Sequence, residues 1–105
     1  MKQPAELQSL REVSARVGRD INLVQGAGGN SSLKLGEVLW VKASGAWLME
    51  AEQRDIFVPV DLPGALRALE QRTEKMPAAD PAAKLRPSIE TSLHALLPHR
   101  VVLHV

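Results

Sequence analysis

The sequence contains no cysteine, which excludes disulfides, thiolate metal sites and cysteine nucleophiles. Aromatic residues make up only 3% of the chain, so the stacking surfaces that bind single-stranded nucleic acid are missing. Neither sign of charge is in excess, because 13 Lys and Arg stand against 12 Asp and Glu. A net charge of +1 gives no reason to expect a nucleic acid or a membrane as partner, so any anion site must be local.

Long hydrophobic runs are absent as well. The N-terminal segment MKQPAELQSL is too polar for a signal peptide, and no stretch approaches the roughly 20 apolar residues of a membrane helix. We therefore expect a soluble protein of the cytoplasm. The chain has 105 residues, of which 45% are hydrophobic, and this suits one globular domain or part of one.

The apolar residues that are present predict helices and strands in alternation. Their spacing of three and four positions predicts an amphipathic helix over residues 4–17. The segment LKLGEVLWVKASG predicts a β-hairpin with a tight turn at Gly36. Residues 56–60 predict another strand, and Asp61 is placed to cap a second helix. The predicted buried stripe of that helix consists of Leu62, Ala65, Leu66 and Leu69.

The last third of the chain predicts a long loop, a helix and a strand. Residues 73–87 contain three prolines without a regular period, as expected of a loop. Ser88 can cap a third helix that ends near Pro98, with Ile89, Leu93 and Leu96 or Leu97 on its buried side. The final run VVLHV is rich in β-branched residues and is typical of a buried strand. Interleaved helices and strands predict a layered α/β architecture.

Two glycine-containing segments could bind an anion. In GAGGNSS, residues 26–32, the glycines allow left-handed backbone conformations that turn consecutive N–H groups toward one point. No Gly-Lys-Ser/Thr follows, and the next element is a strand, so this is neither a Walker loop nor a dinucleotide fingerprint. KASG, residues 42–45, places a hydroxyl beside a glycine at a strand end. Judged by their residue pattern alone, such segments form ordinary turns more often than anion sites.

Two further segments carry titratable side chains. In RPSIETSLH, Glu90 and His94 are four positions apart and share a helix face. They form either a solvent-facing polar pair or, with Glu90 beside an anion site, a general acid/base for a proton next to a carbonyl. His104 is either a hydrogen-bonded core residue or a metal ligand. Spacing does not identify His94 or His99 as its companions.

Taken in order, GGNSS, VKASG, PSIETSLH and VVLHV resemble the N-terminal part of the class II aldolase and adducin head family. That family includes fuculose-phosphate and rhamnulose-phosphate aldolases and ribulose-phosphate 4-epimerase. LWVKASGAWL together with PSIETSLHALLPH looks most like the subgroup that is often fused to a short-chain dehydrogenase module. The resemblance runs from about residue 20 to Val105. It implies the N-terminal part of a layered α/β/α domain with a central, mainly antiparallel sheet.

The resemblance also implies roles for individual residues. Glu90 matches the catalytic acid/base of the family, and His104 matches the first histidine of a metal-binding His-x-His pair. The implied partner is a phosphorylated sugar or related hydroxy-carbonyl compound, whose enediolate is stabilised by a divalent metal, expected to be zinc. A homo-oligomer is implied too. The residues matched to binding of the substrate phosphate are Gly29, Asn30, Ser44, Gly45 and Ser88.

The chain departs from the family pattern in three places. Ile89 stands where many members have a second serine, and Ala43 stands where proline is common. The second histidine of the pair would come two residues after His104, beyond Val105. Because one imidazole cannot hold a catalytic zinc ion, we expect residues 1–105 to be a partial domain, truncated at its C-terminus and inactive alone. The alternatives are a non-enzymatic, adducin-like assembly or binding domain and a short phosphate-binding module.

Overall fold

The computed structural model describes residues 1–72, 77–80 and 85–105. Three helices and four strands are found in these ranges, together with a single 3₁₀ turn at Leu48–Glu50. The helices are α1 (Leu7–Gly18), α2 (Leu62–Glu70) and α3 (Thr91–Leu96). The strands are β1 (Asn30–Leu35), β2 (Val38–Lys42), β3 (Phe57–Asp61) and β4 (Val101–His104).

The four strands form one antiparallel sheet in the order β3-β2-β1-β4. The predicted hairpin is confirmed, because β1 and β2 pair and are joined at Gly36, whose φ is +60°. Strand β4 pairs with β1, which places Asn30 opposite His104 and Ser32 opposite Val102. This pairing brings the first of the motif segments, GGNSS, beside the last, VVLHV.

Helices cover both faces of the sheet, which confirms the predicted α/β/α layering. Successive strand residues point to opposite faces, so each strand contributes to two cores. The core on the α1 side includes Leu7, Leu10, Leu33, Trp40 and Phe57. The core on the side of α2 and α3 includes Leu39, Val41, Val60, Ala65 and Ala95.

Helix α3 buries the side opposite to the predicted one. Ile89, Leu93 and Leu96 are exposed, Ile89 to 93%, whereas Thr91, His94 and Ala95 are buried. The apolar pattern was misleading because His94 has a hydrogen-bond partner in the sheet, Ser32, and so can be buried.

Three smaller predictions also differ from the structure. Leu66 of the predicted stripe on α2 is 39% exposed, and the Asp61 side chain makes no capping hydrogen bond. Strand β4 lies at the edge of the described sheet, and only Val102 of its residues is buried. The predicted loop over residues 73–87 falls in part on 73–76 and 81–84, which lie outside the described residues. Within the described ranges, none of the helices has the length and hydropathy needed to cross a bilayer.

Candidate functional site

Strand β1 carries buried polar side chains to both faces of the sheet. Asn30, Ser31 and Ser32 are all inaccessible to solvent. Ser31 Oγ lies 2.7 Å from Ser14 Oγ of α1, whereas Ser32 Oγ lies 2.5 Å from Nδ1 of His94 in α3. Because side chains alternate along a strand, Asn30 shares the face of Ser32. The side chain of Asn30 therefore lies on the α3 side, as does that of His104, its cross-strand partner in β4.

Glu90, His94 and His104 meet at this end of the sheet, and we call them the donor cluster. Each offers one ligand atom, and these atoms all lie within 4.8 Å of one another. Glu90 immediately precedes α3 and His94 lies one turn later, so the two share a helix face. His104 reaches them from the end of β4 because β4 pairs with β1. Glu90 Oε2 contacts His104 Nδ1, and the two imidazole centroids are 6.1 Å apart.

The facing atoms of the donor cluster are buried without hydrogen bonds to any described residue. They are Glu90 Oε2, His94 Nε2 and His104 Nδ1, and the contact between Glu90 and His104 lacks hydrogen-bond alignment. Buried polar atoms in folded proteins are ordinarily paired. Two imidazole nitrogens and a carboxylate oxygen are a donor set that zinc accepts. The residues present therefore fit a divalent metal ion.

The electrostatics of His94 suit a metal ligand. The pKa of His94 is lowered to about 4, with burial as the largest cause; the charge of His104 contributes to the lowering, and that of Glu90 opposes it. At neutral pH the ring is therefore a neutral imidazole, the form that binds metals. In the tautomer whose Nδ1–H donates to Ser32 Oγ, the Nε2 lone pair is free for the cluster.

The residues matched to phosphate binding occupy three segments. We call residues 26–29 the glycine loop and residues 44–46 the Ser44 turn. Gly29 and Gly45 have φ of +74° and +78°, conformations that favour glycine. A Cβ on Gly29 would come within 3.0 Å of the Val24 side chain, whereas one on Gly45 would meet nothing within 4 Å. The backbone of the glycine loop at Gly29 is thus packed against the Val24 side chain, whereas the space around Gly45 in the Ser44 turn is free.

Ser88, in the third segment, lies directly beside the donor cluster. Its Oγ accepts a hydrogen bond from the Glu90 N–H at 3.1 Å. Its backbone N–H donates to the Lys42 carbonyl at 3.2 Å, and the Ser44 N–H donates to the Arg86 carbonyl at 2.9 Å. The segment before α3 is thereby fastened to the Ser44 turn. Asn30, with both amide atoms buried and unpartnered among the described residues, lies on the sheet face that α3 covers.

Two residues of this region received no role from the sequence. His94 was not assigned to a metal site, although its four-residue spacing from Glu90 was the available signal. Lys42 received no role within KASG, yet its Nζ donates to the carbonyls of Ala27 at 2.8 Å and Ala46 at 2.7 Å. A lysine in an otherwise apolar strand was the signal there.

A cavity of about 300 Å³ opens beside the Ser44 turn. Its walls include Trp47, Arg54 and Asp55 together with the turn itself, but no residue of the donor cluster. The donor cluster therefore lies outside this cavity, whereas Ser44 and Gly45 line it.

This chain is similar to known proteins both in sequence and in fold. The sequence model of the class II aldolase and adducin N-terminal domain matches residues 8–105. Among solved structures, the chain is similar to the N-terminal class II aldolase domain of a conserved protein from Thermoplasma acidophilum, at 30% identity and a TM-score of 0.79. The similarity covers 99% of this chain and 56% of that one. Comparison with curated protein sequences gives no significant match.

Proposed function

Because the chain belongs to the class II aldolase and adducin N-terminal domain family, we propose that it is part of a metal-dependent lyase or epimerase. The proposed substrate is a sugar phosphate or a related hydroxy-carbonyl compound. The observation that carries the proposal is the convergence of three buried donor atoms, from Glu90, His94 and His104, none of which makes a hydrogen bond to a described residue. These residues would hold a divalent ion, with zinc favoured by the donor set, and the bound ion would polarise the carbonyl and hydroxyl oxygens of the substrate.

Glu90 is the proposed acid/base. Its Oε2 atom is buried against the histidines, while its side chain as a whole is 34% exposed. The carboxyl group therefore extends from the donor cluster to the surface at which a substrate would arrive. A carboxylate in that position can take a proton from the carbon skeleton and return it.

The phosphate group is proposed to bind at Gly29, Asn30, Ser44, Gly45 and Ser88. Among the described residues, the N–H groups of Gly29 and Gly45 donate no backbone hydrogen bond, so both are free for an anion. Ser88 joins this region to the acid/base through its hydrogen bond with the Glu90 N–H. A phosphate fixed here would hold the reacting carbons in register with Glu90.

Zinc titration of the metal-free chain, followed by calorimetry, tests the donor cluster. We expect one equivalent of Zn²⁺ to bind, and His94→Ala and His104→Ala each to weaken binding by at least about tenfold, since each removes one ligand. His99→Ala is the matched control, because His99 is exposed and lies outside the cluster. A chain that binds neither zinc, manganese nor cobalt would contradict the proposal and would favour the adducin-like binding domain.

A polypeptide that continues past Val105 provides the second arm of this test. The family resemblance predicts a further histidine two residues after His104. We therefore expect the longer polypeptide to bind zinc more tightly and to gain lyase or epimerase activity that residues 1–105 lack. Activity in residues 1–105 alone would overturn the proposed inactivity. Light scattering on both forms would test the proposed homo-oligomer.

A further inference from the structure

Lys42, at the end of β2, is a buried cation without a carboxylate partner in the described structure. The residue is only 2% exposed. Its Nζ donates to two backbone carbonyls, and none of the ion pairs found in residues 1–72, 77–80 and 85–105 includes it. Burying an ammonium group against neutral acceptors alone is unfavourable, and an ammonium has three N–H groups to satisfy. An anion nearby would compensate this charge.

Three segments are fastened together at Lys42. Its ammonium joins the glycine loop, at Ala27, to the Ser44 turn, at Ala46. Its backbone carbonyl accepts from the Ser88 N–H. Removing the side chain would therefore separate two of the segments and leave the third attached through the backbone.

We propose that Lys42 is the positioning residue of the anion site, because it holds the glycine loop against the Ser44 turn and supplies the buried positive charge that favours a phosphate there. This inference rests on the proposed function and deepens it, since it states what makes the site selective for an anion. Burial lowers the pKa of Lys42, and the charge of Glu90 raises it by a smaller amount. A bound anion would act in the same direction as Glu90.

Lys34, on the neighbouring strand, provides a matched control. Its Nζ also donates to two carbonyls, those of Leu97 at 2.6 Å and His99 at 2.8 Å, and burial lowers its pKa too. These carbonyls lie in the connection between α3 and β4 rather than in the glycine loop or the Ser44 turn. Loss of either lysine should thus disturb a similar set of bonds, but only Lys42 should matter for an anion.

Titration of the metal-free chain with inorganic phosphate, followed by amide NMR, tests the proposal. In the unsubstituted chain we expect shifts at residues 26–32 and 44–45. Lys42→Met should weaken phosphate binding by at least about tenfold, whereas Lys42→Arg, which keeps the charge, should stay within roughly threefold of the unsubstituted chain. Lys34→Met should bind phosphate as the unsubstituted chain does. Undiminished binding by a folded Lys42→Met would overturn the proposal.

The pH dependence of anion binding distinguishes the effect of the Lys42 charge from a purely structural role of its side chain. Sulfate is the probe, because its own charge is constant above about pH 7. As pH rises through the lowered pKa of Lys42, the ammonium loses its proton and sulfate binding should fall. Glu90 is the one charged group found to act on Lys42 in the described structure. In Lys42→Arg the decline should vanish, because arginine stays charged. An identical decline in both chains would overturn the role of the charge.

The outcomes distinguish this inference from the proposed function. If the chain binds phosphate through Lys42 but no metal, the metal-dependent activity fails and the positioning role stands. If the chain binds zinc but neither phosphate nor sulfate shifts any amide, the inference fails and the donor cluster stands.

Discussion

The two faces of the sheet differ in how their buried polar groups are satisfied. On the face that packs on α1, the core is apolar apart from Ser14 and Ser31, whose hydroxyls pair with each other, and Lys42 at the end of β2, whose ammonium donates to two carbonyls. On the face that packs on α3, Ser32 pairs with His94, but polar atoms of Asn30, Glu90, His94 and His104 stay buried without a hydrogen bond to any described residue. The α1 face therefore has the character of a core, and the α3 face that of a binding site.

The difference has an energetic consequence. Each buried polar group without a partner destabilises a fold by about 1–3 kcal/mol, so selection for stability alone would remove such groups. Their concentration at one end of one face is expected where function is retained at the expense of stability. Substitutions of apolar core residues on the α1 face should accordingly change stability alone, whereas substitutions in the donor cluster on the α3 face should also change ligand binding.

The largest expected effect comes from opening a cavity on the α1 face. Leu10 is 3% exposed in the core between α1 and the sheet. Leu10→Ala should lower the free energy of unfolding by roughly 2–5 kcal/mol, through lost burial and the cavity that is left. Urea unfolding would measure this loss, and zinc titration under conditions in which the variant is folded should give unchanged affinity. A weaker zinc affinity would show that the two faces are not independent.

The pH dependence of stability should come next in size and should belong to the α3 face. The pKa of His94 is about 4 in the folded chain and 6.5 as its ordinary value. The unfolded chain therefore takes up the proton first as pH falls, and the stability present above about pH 6.5 is progressively lost down to about pH 4. The loss at about pH 4 is on the order of 3 kcal/mol from this group.

A His94→Gln variant provides the comparison for that prediction, because every other titratable group is the same in both chains. The free energy of unfolding of the metal-free proteins, measured between about pH 7 and pH 4, should fall more steeply in the unsubstituted chain. The groups whose charges act on His94 are Glu90, His104 and Lys34, and all three are retained in the variant. Parallel pH profiles would show that His94 does not become harder to protonate on folding.

The layered fold could be predicted because it depends on local periodicity. The spacing of apolar residues identified α1, and alternation around Gly36 identified the hairpin. Each of these patterns reflects the regular repeat of side chains along a single helix or strand. The buried side of α3 could not be predicted in this way. His94 is buried against Ser32, 62 residues away, and no local pattern reports a contact over that separation.

The candidate site, like the fold, could be predicted from the sequence only in part. Glu90 and His104 were assigned roles because short motifs around them resemble a family. The contribution of His94 depends on its contact with Ser32 in the sheet, and that of Lys42 depends on carbonyls at Ala27 and Ala46. Every residue type has a backbone carbonyl, so a sequence motif cannot show which carbonyls a lysine side chain contacts.

The consecutive serines of β1 offer a sharper comparison of the two faces, with smaller effects. Ser31→Ala leaves the Ser14 hydroxyl buried without its partner, and Ser32→Ala does the same to His94 Nδ1, so each should lower the free energy of unfolding by about 1–3 kcal/mol. Only Ser32→Ala should also weaken zinc binding, by roughly 10–100-fold, because it releases the ring that Ser32 orients.

The Ser14→Ala/Ser31→Ala double variant is the control for the serine comparison. Removing both hydroxyls leaves no unpaired group, so its stability should recover toward that of the unsubstituted chain. Zinc affinities measured by calorimetry should separate the two serines clearly. Equal zinc affinities in Ser31→Ala and Ser32→Ala would refute the assignment of His94 as a ligand that Ser32 orients.

The smallest effect on stability is expected at Asn30, although its side chain is as buried as those of the serines. Both polar atoms of its amide lack partners in the described chain, so Asn30→Ala removes a desolvated group and opens only a small space. These changes oppose each other, and the free energy of unfolding should move by less than about 1 kcal/mol in either direction. Phosphate binding followed by NMR should nevertheless weaken by at least about tenfold, because the amide is free for the anion. A large loss of stability with unchanged phosphate binding would mean that Asn30 belongs to the core, and the contrast between the two faces would then rest on the donor cluster alone.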